Sequence, residues 1–336
     1  MGDEWIEIHI KMGGQLNMVM MGRTAEALFW IGRYTERTEN HARLIDVYYH
    51  IREERESGSG QSWSRLIDTI GDRTAFTEHY SSFTEQHVLQ YITLDKNNVN
   101  SLLACTNHAR TNLRNIREKM PSELWDIMNG LYLWLKEKDV RDITSDSPHL
   151  FYRFVRDSLS MFHGAATSVM PRQNEWHFIE AGRYLERAEN LLRLLQSLGQ
   201  DYAREESSSY PLMLSVLKSV SGYESFRREY ADTVNLSNII KFLMLHEAFP
   251  RSISYAFQAL ERSLKSIQME DPDLNMTVRK LAKLAGKVKA NLACMDEDDI
   301  LSGKLEMTLQ ALRESCNGMG LRMTKVFFPS REEVIA

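Results

Sequence analysis

The 336-residue chain is poor in the residues that interrupt helices or cross-link chains. It has 7 prolines and 17 glycines, about 2% and 5% of the residues, against usual levels of roughly 5% and 7%. Because both residue types break helices, their scarcity favours long helices. Only three cysteines occur, and none forms a Cys-x-x-Cys pair: Cys105, Cys294 and Cys316. This odd number and wide spacing exclude a disulfide framework and a cysteine zinc site, and they indicate a reducing compartment.

The chain also lacks a basic excess and a long apolar run. It has 41 lysines and arginines against 46 acidic residues, a formal net charge of −5, which argues against a nucleic-acid partner. No stretch approaches the roughly 18 apolar residues that a membrane span requires, so no membrane partner is expected. Residues 1–20 lack the pattern of a signal peptide, and residues 5–10 alternate like a strand. We interpret residues 1–20 as an N-terminal extension or leader, and we expect a cytoplasmic protein.

The sequence does contain an internal repeat. GRYTERTEN at residues 32–40 returns as GRYLERAEN at residues 182–190, a shift of 150. A Ser-rich polar loop, a glycine followed by Phe and Tyr, and the segments LDKNNVNS and LHEAFPRS recur in the same order at nearly the same shift. We therefore predict a first helical repeat over residues 21–170, a second over residues 171–323, and a C-terminal tail over residues 324–336.

Apolar residues recur with helical spacing in both repeats. No run of β-branched residues bounded by turns follows residue 20, so the predicted fold class is all-α, with a duplicated helical-bundle unit. The pattern leaves open whether the halves form two bundles or one. The predicted helices cover residues 24–52, 63–70, 99–119, 122–137 and 150–169, then 175–198, 211–220, 252–269, 277–295 and 301–316.

The repeated helix carries a charged stripe on one face. At 100° per residue, four side chains share one arc in each copy: Arg33, Glu36, Arg37 and Asn40, and Arg183, Glu186, Arg187 and Asn190. Four further residues flank the stripes, each acid four positions before an arginine: Glu39, Arg43, Glu189 and Arg193. Helix geometry predicts that the two flanking glutamates lie farther from the stripe centres than the two flanking arginines.

The stripes allow two interpretations. Each is a solvated face with weak ion pairs, or the two face one another with Arg–Glu forks between them. Identical residue types in both copies favour the second, because lysine does not replace arginine where planar, bidentate pairing is needed. Facing stripes would fix the register of the two helices, or their arginines would line an anion site. The sequence leaves both roles open.

Motifs for independent chemistry are missing from the sequence. It has no Glu-x-x-His, no HExxH, no GxxxxGK[ST] and no GxGxxG that opens a helix, so we expect no metal and no cofactor. Glu36 and Glu39 have the spacing of paired carboxylates, but neighbouring arginines would keep them ionised and make them poor general acids. His108 and His163 are interpreted as packed histidines. No residue is assigned a catalytic role.

The segment MMGRTAEALFWIGRYTERTENHARLIDV resembles the start of the bacterial alpha-E family, an all-helical family named for its ER motif. The resemblance continues through NSLLACTNHARTNLRNIREKMPSELWDIMNGLYLWL, EWHFIEAGRYLERAENLLRLL, SVSGYESFRREY and FPRSISYAFQAL, and covers residues 21 to about 323. Genes of that family neighbour, or are fused to, a circularly permuted ATP-grasp protein and a transglutaminase-like cysteine peptidase.

This resemblance implies a non-catalytic or accessory helical component of an ATP-dependent peptide- or amide-ligating system. Two alternatives stay open. One is an enzyme that uses the Arg/Glu cleft on a carboxylate- or phosphate-bearing substrate, and the other is a purely structural oligomerisation module. Any ATP chemistry would belong to the partner, since the chain has no ATP-binding motif.

Overall fold

The computed structural model describes the backbone of residues 2–54, 61–70, 72–145, 147–204, 209–231, 233–295, 299 and 304–327. It describes their side chains except at residues 2–21, 51–54, 61–62, 201, 203–204, 209 and 326–327. Over these ranges the chain forms helices and no strands, which confirms the all-α fold class. The helices are α1 Gly2–Glu54, α2 Gln61–Ile70, α3 Arg73–His79, α4 Glu85–Leu89, α5 Leu102–Asn115, α6 Ser122–Lys136, α7 Val140–Thr144, α8 Pro148–Val169, α9 Asn174–Arg204, α10 Ser209–Ser219, α11 Tyr223–Tyr230, α12 Leu236–Leu245, α13 Ile253–Ser266, α14 Pro272–Ala293 and α15 Leu305–Phe327.

The strand-like interpretation of residues 5–10 is wrong, because α1 is helical from Gly2 onward. The described part of the chain offers these six alternating residues no second strand to pair with, and an isolated strand has no stability of its own. Gly13 and Gly14 do not end the helix either. Each glycine costs a helix only about 1 kcal/mol relative to alanine, which the long amphipathic segment after residue 20 outweighs.

Short helices account for most of the other differences from the sequence prediction. Helices α3, α4, α7, α11 and α12 were not predicted, because five to ten residues show too few turns for a period to emerge. A π-helical turn, Gln90–Leu94, continues α4. A 3₁₀ turn, Arg117–Lys119, follows α5. Helix α6 begins at Ser122, the first residue of the predicted helix, and Pro121 stands at its N-cap position.

One continuous cluster of buried apolar side chains runs through both repeats. Helix α9 is the main packing partner of α1. In the first repeat α5 and α8 pack on α1, and α6 joins them; in the second, α13 and α15 pack on α9, and α14 joins them. This parallel order supports the predicted duplication, which itself stays a prediction. None of the helices in the described ranges combines the length and apolar character needed to cross a membrane.

The axes of α1 and α9 come unusually close where two glycines meet the opposite backbone. A Cβ atom added at Gly32 would lie 2.0 Å from the carbonyl oxygen of Ile179. A Cβ atom at Gly182 would lie 2.0 Å from the carbonyl oxygen of Phe29. These contacts are related by the same shift of 150 residues as the sequence repeat. Only glycine allows this approach, and it brings the two charged stripes within side-chain reach of each other.

Candidate functional site

The two stripes face each other across the contact between α1 and α9. Arg37 donates from Nε and Nη2 to Oε1 and Oε2 of Glu186, at 2.6 and 3.0 Å. Arg187 donates from Nε and Nη2 to Oε1 and Oε2 of Glu36, at 2.7 Å each. Both are bidentate forks, the strongest geometry for this ion pair. Each repeat therefore supplies the arginine of one fork and the glutamate of the other.

The first arginine of each stripe extends the pairing. Arg33 donates from Nη1 and Nη2 to Glu189, at 3.1 and 2.8 Å. Its Nε lies 2.5 Å from Oε2 of Glu186 as an ion pair, but the N–H direction does not satisfy hydrogen-bond geometry. Arg183 donates from Nε to Oε2 of Glu36 at 3.4 Å and from Nη1 to Glu180 at 3.1 Å. Each central glutamate is thus held by arginines from the opposite helix.

The flanking glutamates were predicted to lie farther from the stripe centres than Arg43 and Arg193, but in the structure both pair directly with arginines of the network. Glu189 forms the fork with Arg33, and Glu39 accepts hydrogen bonds from Arg43 and, at 2.6 Å, from Arg251. Both glutamates are buried. A helical wheel gives only the direction of a side chain from its own axis. A helical wheel therefore does not show that the edges of the stripe are buried by the close crossing of the two helices and by the loop that precedes α13.

The remaining stripe residues take less central positions. Asn40 is half-buried. Asn190 is buried, and its Nδ2 has no hydrogen-bond partner among the residues that the structure describes. Arg193 is half-buried, and burial lowers its pKa although Glu186 and Glu189 act in the opposite direction. The fork residues, and not these three, define the centre of the site.

Sequence reasoning missed several members of the network. Arg251 donates to Glu39 and lies 3.5 Å from Glu36, and Arg187 Nη1 donates to the carbonyl oxygen of Pro250 at 3.1 Å. In the first repeat Arg37 Nη1 donates to Oδ1 of Asn100 at 2.7 Å. The recurring segments LDKNNVNS and LHEAFPRS were the available signal, since both place a polar residue next to the serine that caps α5 or α13.

The network is buried, and its charges stabilise one another. Burial opposes ionisation of Glu36, but Arg187, Arg251 and Arg183 hold its pKa well below the ordinary range. Burial acts in the same way on Glu186, and Arg33 and Arg37 lower its pKa to about 2. These carboxylates are therefore ionised at neutral pH and carry no proton to donate. They are unsuited to general acid catalysis, as the sequence predicted for Glu36 and Glu39.

Positive charge exceeds negative charge in the network. The direct pairs involve six arginines and five glutamates: Arg33, Arg37, Arg43, Arg183, Arg187 and Arg251, with Glu36, Glu39, Glu180, Glu186 and Glu189. Burial, and after it the positive charge of the nearby Arg251, lowers the pKa of Arg43 to about 10. The Nε of Arg43 has no hydrogen-bond partner in the described part of the chain.

Two buried histidines border the network. Burial lowers the pKa of His41 and of His163 to about 3, so both rings are neutral at physiological pH. The Nε2 of His163 finds no partner in the described ranges, and the ring lies with Glu36 and Glu39 at distances that a metal ion could bridge. Four arginines, Arg43, Arg183, Arg187 and Arg251, hold the two carboxylates, and their combined positive charge would repel a cation at this position. This cluster therefore does not fit a metal site.

Curated proteins from mycobacteria are similar to this chain at low identity. The chain is 21% identical over 275 residues to an uncharacterised protein of Mycobacterium bovis, and 20% identical over 275 residues to one of Mycobacterium tuberculosis. Each match covers 76% of this chain but only 31% of the relative. The chain therefore spans about a third of the length of these curated relatives.

No solved structure matches the chain. The sequence pattern of one family, described as a predicted alpha-helical domain with a conserved ER motif, matches residues 20–328. Both ER dipeptides of the repeat, at residues 36–37 and 186–187, lie in the forks between α1 and α9. On the extent of this match, the chain belongs to the Alpha-E family.

Proposed function

We propose that this protein is a non-catalytic helical subunit of an ATP-dependent system that forms peptide or amide bonds. Its partners would be a circularly permuted ATP-grasp protein and a transglutaminase-like peptidase, as the family resemblance implies. One observation carries the non-catalytic part of the proposal. Glu36 and Glu186, the acids of the repeated ER dipeptides, are buried and fully engaged by arginines.

Such pairing suits a rigid scaffold better than an active site. A buried fork fixes the register between two helices, because a shift of either helix would leave charges unpaired in the core. Catalytic acids and bases need a pKa near the working pH, whereas the pKa of Glu186 is about 2. The subunit would bind the ligase or its peptide substrate through its outer surface, and the partner would supply the ATP site.

Co-expression with a circularly permuted ATP-grasp protein of the kind that the family resemblance implies tests this proposal. We expect the two chains to purify together, and we expect ATP hydrolysis in the presence of an amino-acid pool only when both are present. The purified chain alone should show no ATPase and no peptidase activity. Failure of the chains to associate, with full ligase activity of the ATP-grasp protein alone, would contradict the accessory role.

One observation favours an enzyme as the second candidate function. An open cavity of about 450 Å³ reaches Pro250, whose carbonyl oxygen accepts a hydrogen bond from Arg187. It is lined by Ser225, Arg228, Glu229, His246, Ala248, Phe249 and Pro250. A carboxylate- or phosphate-bearing substrate in this cavity would lie beside the arginine-rich network. Turnover by the purified chain, lost in Arg37→Lys, would favour the enzyme over the accessory subunit.

A further inference from the structure

Outside the Arg/Glu network, three potential metal ligands meet where α1 approaches the start of α8. Asp46 and His50 lie four residues apart on α1, so both side chains project from the same face. His149 lies in the first turn of α8. The donor atoms of the three side chains all lie within 4.8 Å of one another. No sequence motif marked this group, because His149 is about a hundred residues away from its two neighbours.

His149 is hydrogen-bonded to Asp46 in the structure, and an ion that bound between these side chains would replace that hydrogen bond. His149 Nδ1 lies 2.9 Å from Oδ1 of Asp46, and His50 Nε2 lies 3.6 Å from the same oxygen. The second distance is too long for a hydrogen bond. Two ligands bound tetrahedrally to zinc at about 2.0–2.1 Å are separated by about 3.3 Å. The observed separations lie on either side of that value.

The surroundings leave the cluster both anchored and open. Asp46 is buried, and Arg156 Nη2 lies 3.2 Å from its second oxygen, Oδ2. That contact orients the carboxylate, as the outer partners of metal ligands commonly do; Oδ1 faces both histidines, and His149 Nδ1 also lies 3.2 Å from Oδ2. The side chains of His50 and His149 are 47% and 39% exposed, so an ion could enter from solvent and water could complete its coordination.

We propose that Asp46, His50 and His149 bind one divalent transition-metal ion, of which Zn²⁺ is the simplest example. Two imidazoles and one carboxylate suit zinc and its neighbours, whereas magnesium and calcium prefer oxygen ligands throughout. The ion would link the C-terminal part of α1 to the first turn of α8. Because the unfolded chain does not hold these ligands together, binding would stabilise the fold. This site is independent of the proposed role in amide ligation.

Titration of the tag-free, chelator-treated full chain with Zn²⁺ tests the proposal. We expect saturable binding of one Zn²⁺ per chain in calorimetry, and a rise in the thermal midpoint when Zn²⁺ is added. His50→Ala and His149→Ala should each weaken binding at least tenfold and abolish the rise. His79→Ala, which removes an exposed histidine on α3, should bind Zn²⁺ like the parent.

The variants change partly exposed side chains, and their circular dichroism should match that of the parent, which separates loss of binding from loss of folding. Absence of saturable binding in the parent would overturn the proposal. So would equal Zn²⁺ affinity in the parent and in both histidine variants. A cluster that binds only protons would give a pH-dependent midpoint with no response to Zn²⁺, and that result would also refute a metal site.

Discussion

Each central glutamate of the network is held by more than one guanidinium, so that removal of the glutamate takes a partner from several buried arginines, and removal of one arginine leaves the glutamate less fully paired. Glu36 accepts from Arg187 through both oxygens and also contacts Arg183 and Arg251. Truncating one member of a buried ion pair is strongly destabilising, because the remaining charge stays in a medium of low polarity. Arginine is required here for its planar fork, which lysine lacks.

We therefore expect Glu36→Ala and Arg187→Ala each to lower the free energy of unfolding by about 2–4 kcal/mol. Chemical denaturation followed by circular dichroism would measure this loss. Glu123→Ala, which removes an exposed acid in the first turn of α6, is the matched control and should leave the midpoint unchanged. If all three variants had midpoints close to that of the parent, the stripes would be solvated faces with weak ion pairs.

At the scale of elements, the crossing of α1 and α9 depends on the two glycines that precede the stripes. Alanine at Gly32 would place its Cβ 2.0 Å from a backbone oxygen, far inside the contact distance, and backbone cannot move aside as a flexible side chain can. The helices would have to separate, and the forks of Arg37 and Arg187 would lengthen or break. The charged pairs and the glycine contact thus depend on one another.

Gly32→Ala and Gly182→Ala should accordingly destabilise the protein severely or prevent its folding. Gly130→Ala and Gly164→Ala are controls in α6 and α8, where an added Cβ meets nothing within 4 Å. Because alanine is the better helix former by roughly 0.5–1 kcal/mol, these two should raise the thermal midpoint slightly. Thermal melts of the four variants measure this difference. If the Gly32 and Gly182 variants had thermal midpoints similar to those of the two controls, α1 and α9 would not cross as closely as described.

At the scale of the whole molecule, the sequence repeat allowed us to predict that the two ER helices, α1 and α9, face each other. It did not allow us to predict which other residues surround the stripes. Identical residue types in the two ER segments indicated that the stripes face each other, because only a shared environment selects arginine and glutamate in both copies. Arg251 and Glu180 could not be found in this way, since they reach the network from a loop and from one turn earlier on α9. Burial of Glu39 and Glu189 depends on the helix crossing, which a single helical wheel does not contain.

Acid should destabilise the whole molecule in two steps. His41 and His163 have a pKa of about 3 in the folded chain against an ordinary 6.5, so below pH 6.5 the unfolded chain binds more protons. Glu186, with a pKa of about 2 against 4.5, adds its contribution below pH 4.5. The free energy of unfolding should therefore fall as the pH drops below 6.5 and fall more steeply below 4.5.

Denaturant titrations between pH 3 and pH 8 measure this dependence. His163→Asn should make the curve shallower between about pH 6.5 and pH 4.5, because one of the two histidines that are protonated only on unfolding is removed and His41 remains. His79→Asn, at an exposed position, should follow the parent. A parent curve that is flat or rises toward acid over this range would show that the buried histidines are not neutral.

A double-mutant cycle on Arg37 and Glu186 measures whether the forks between α1 and α9 hold these two helices together. Glu186→Leu leaves the Arg37 guanidinium without its ion-pair partner, and Arg37→Met leaves Glu186 with Arg33 alone, whereas the double variant removes both members of the pair. We expect equilibrium unfolding to give a coupling free energy of about 2–3 kcal/mol between Arg37 and Glu186. The exposed pair Asp139–Arg141 should show no measurable coupling. Strictly additive effects of Arg37→Met and Glu186→Leu would show that this fork does not hold α1 and α9 together.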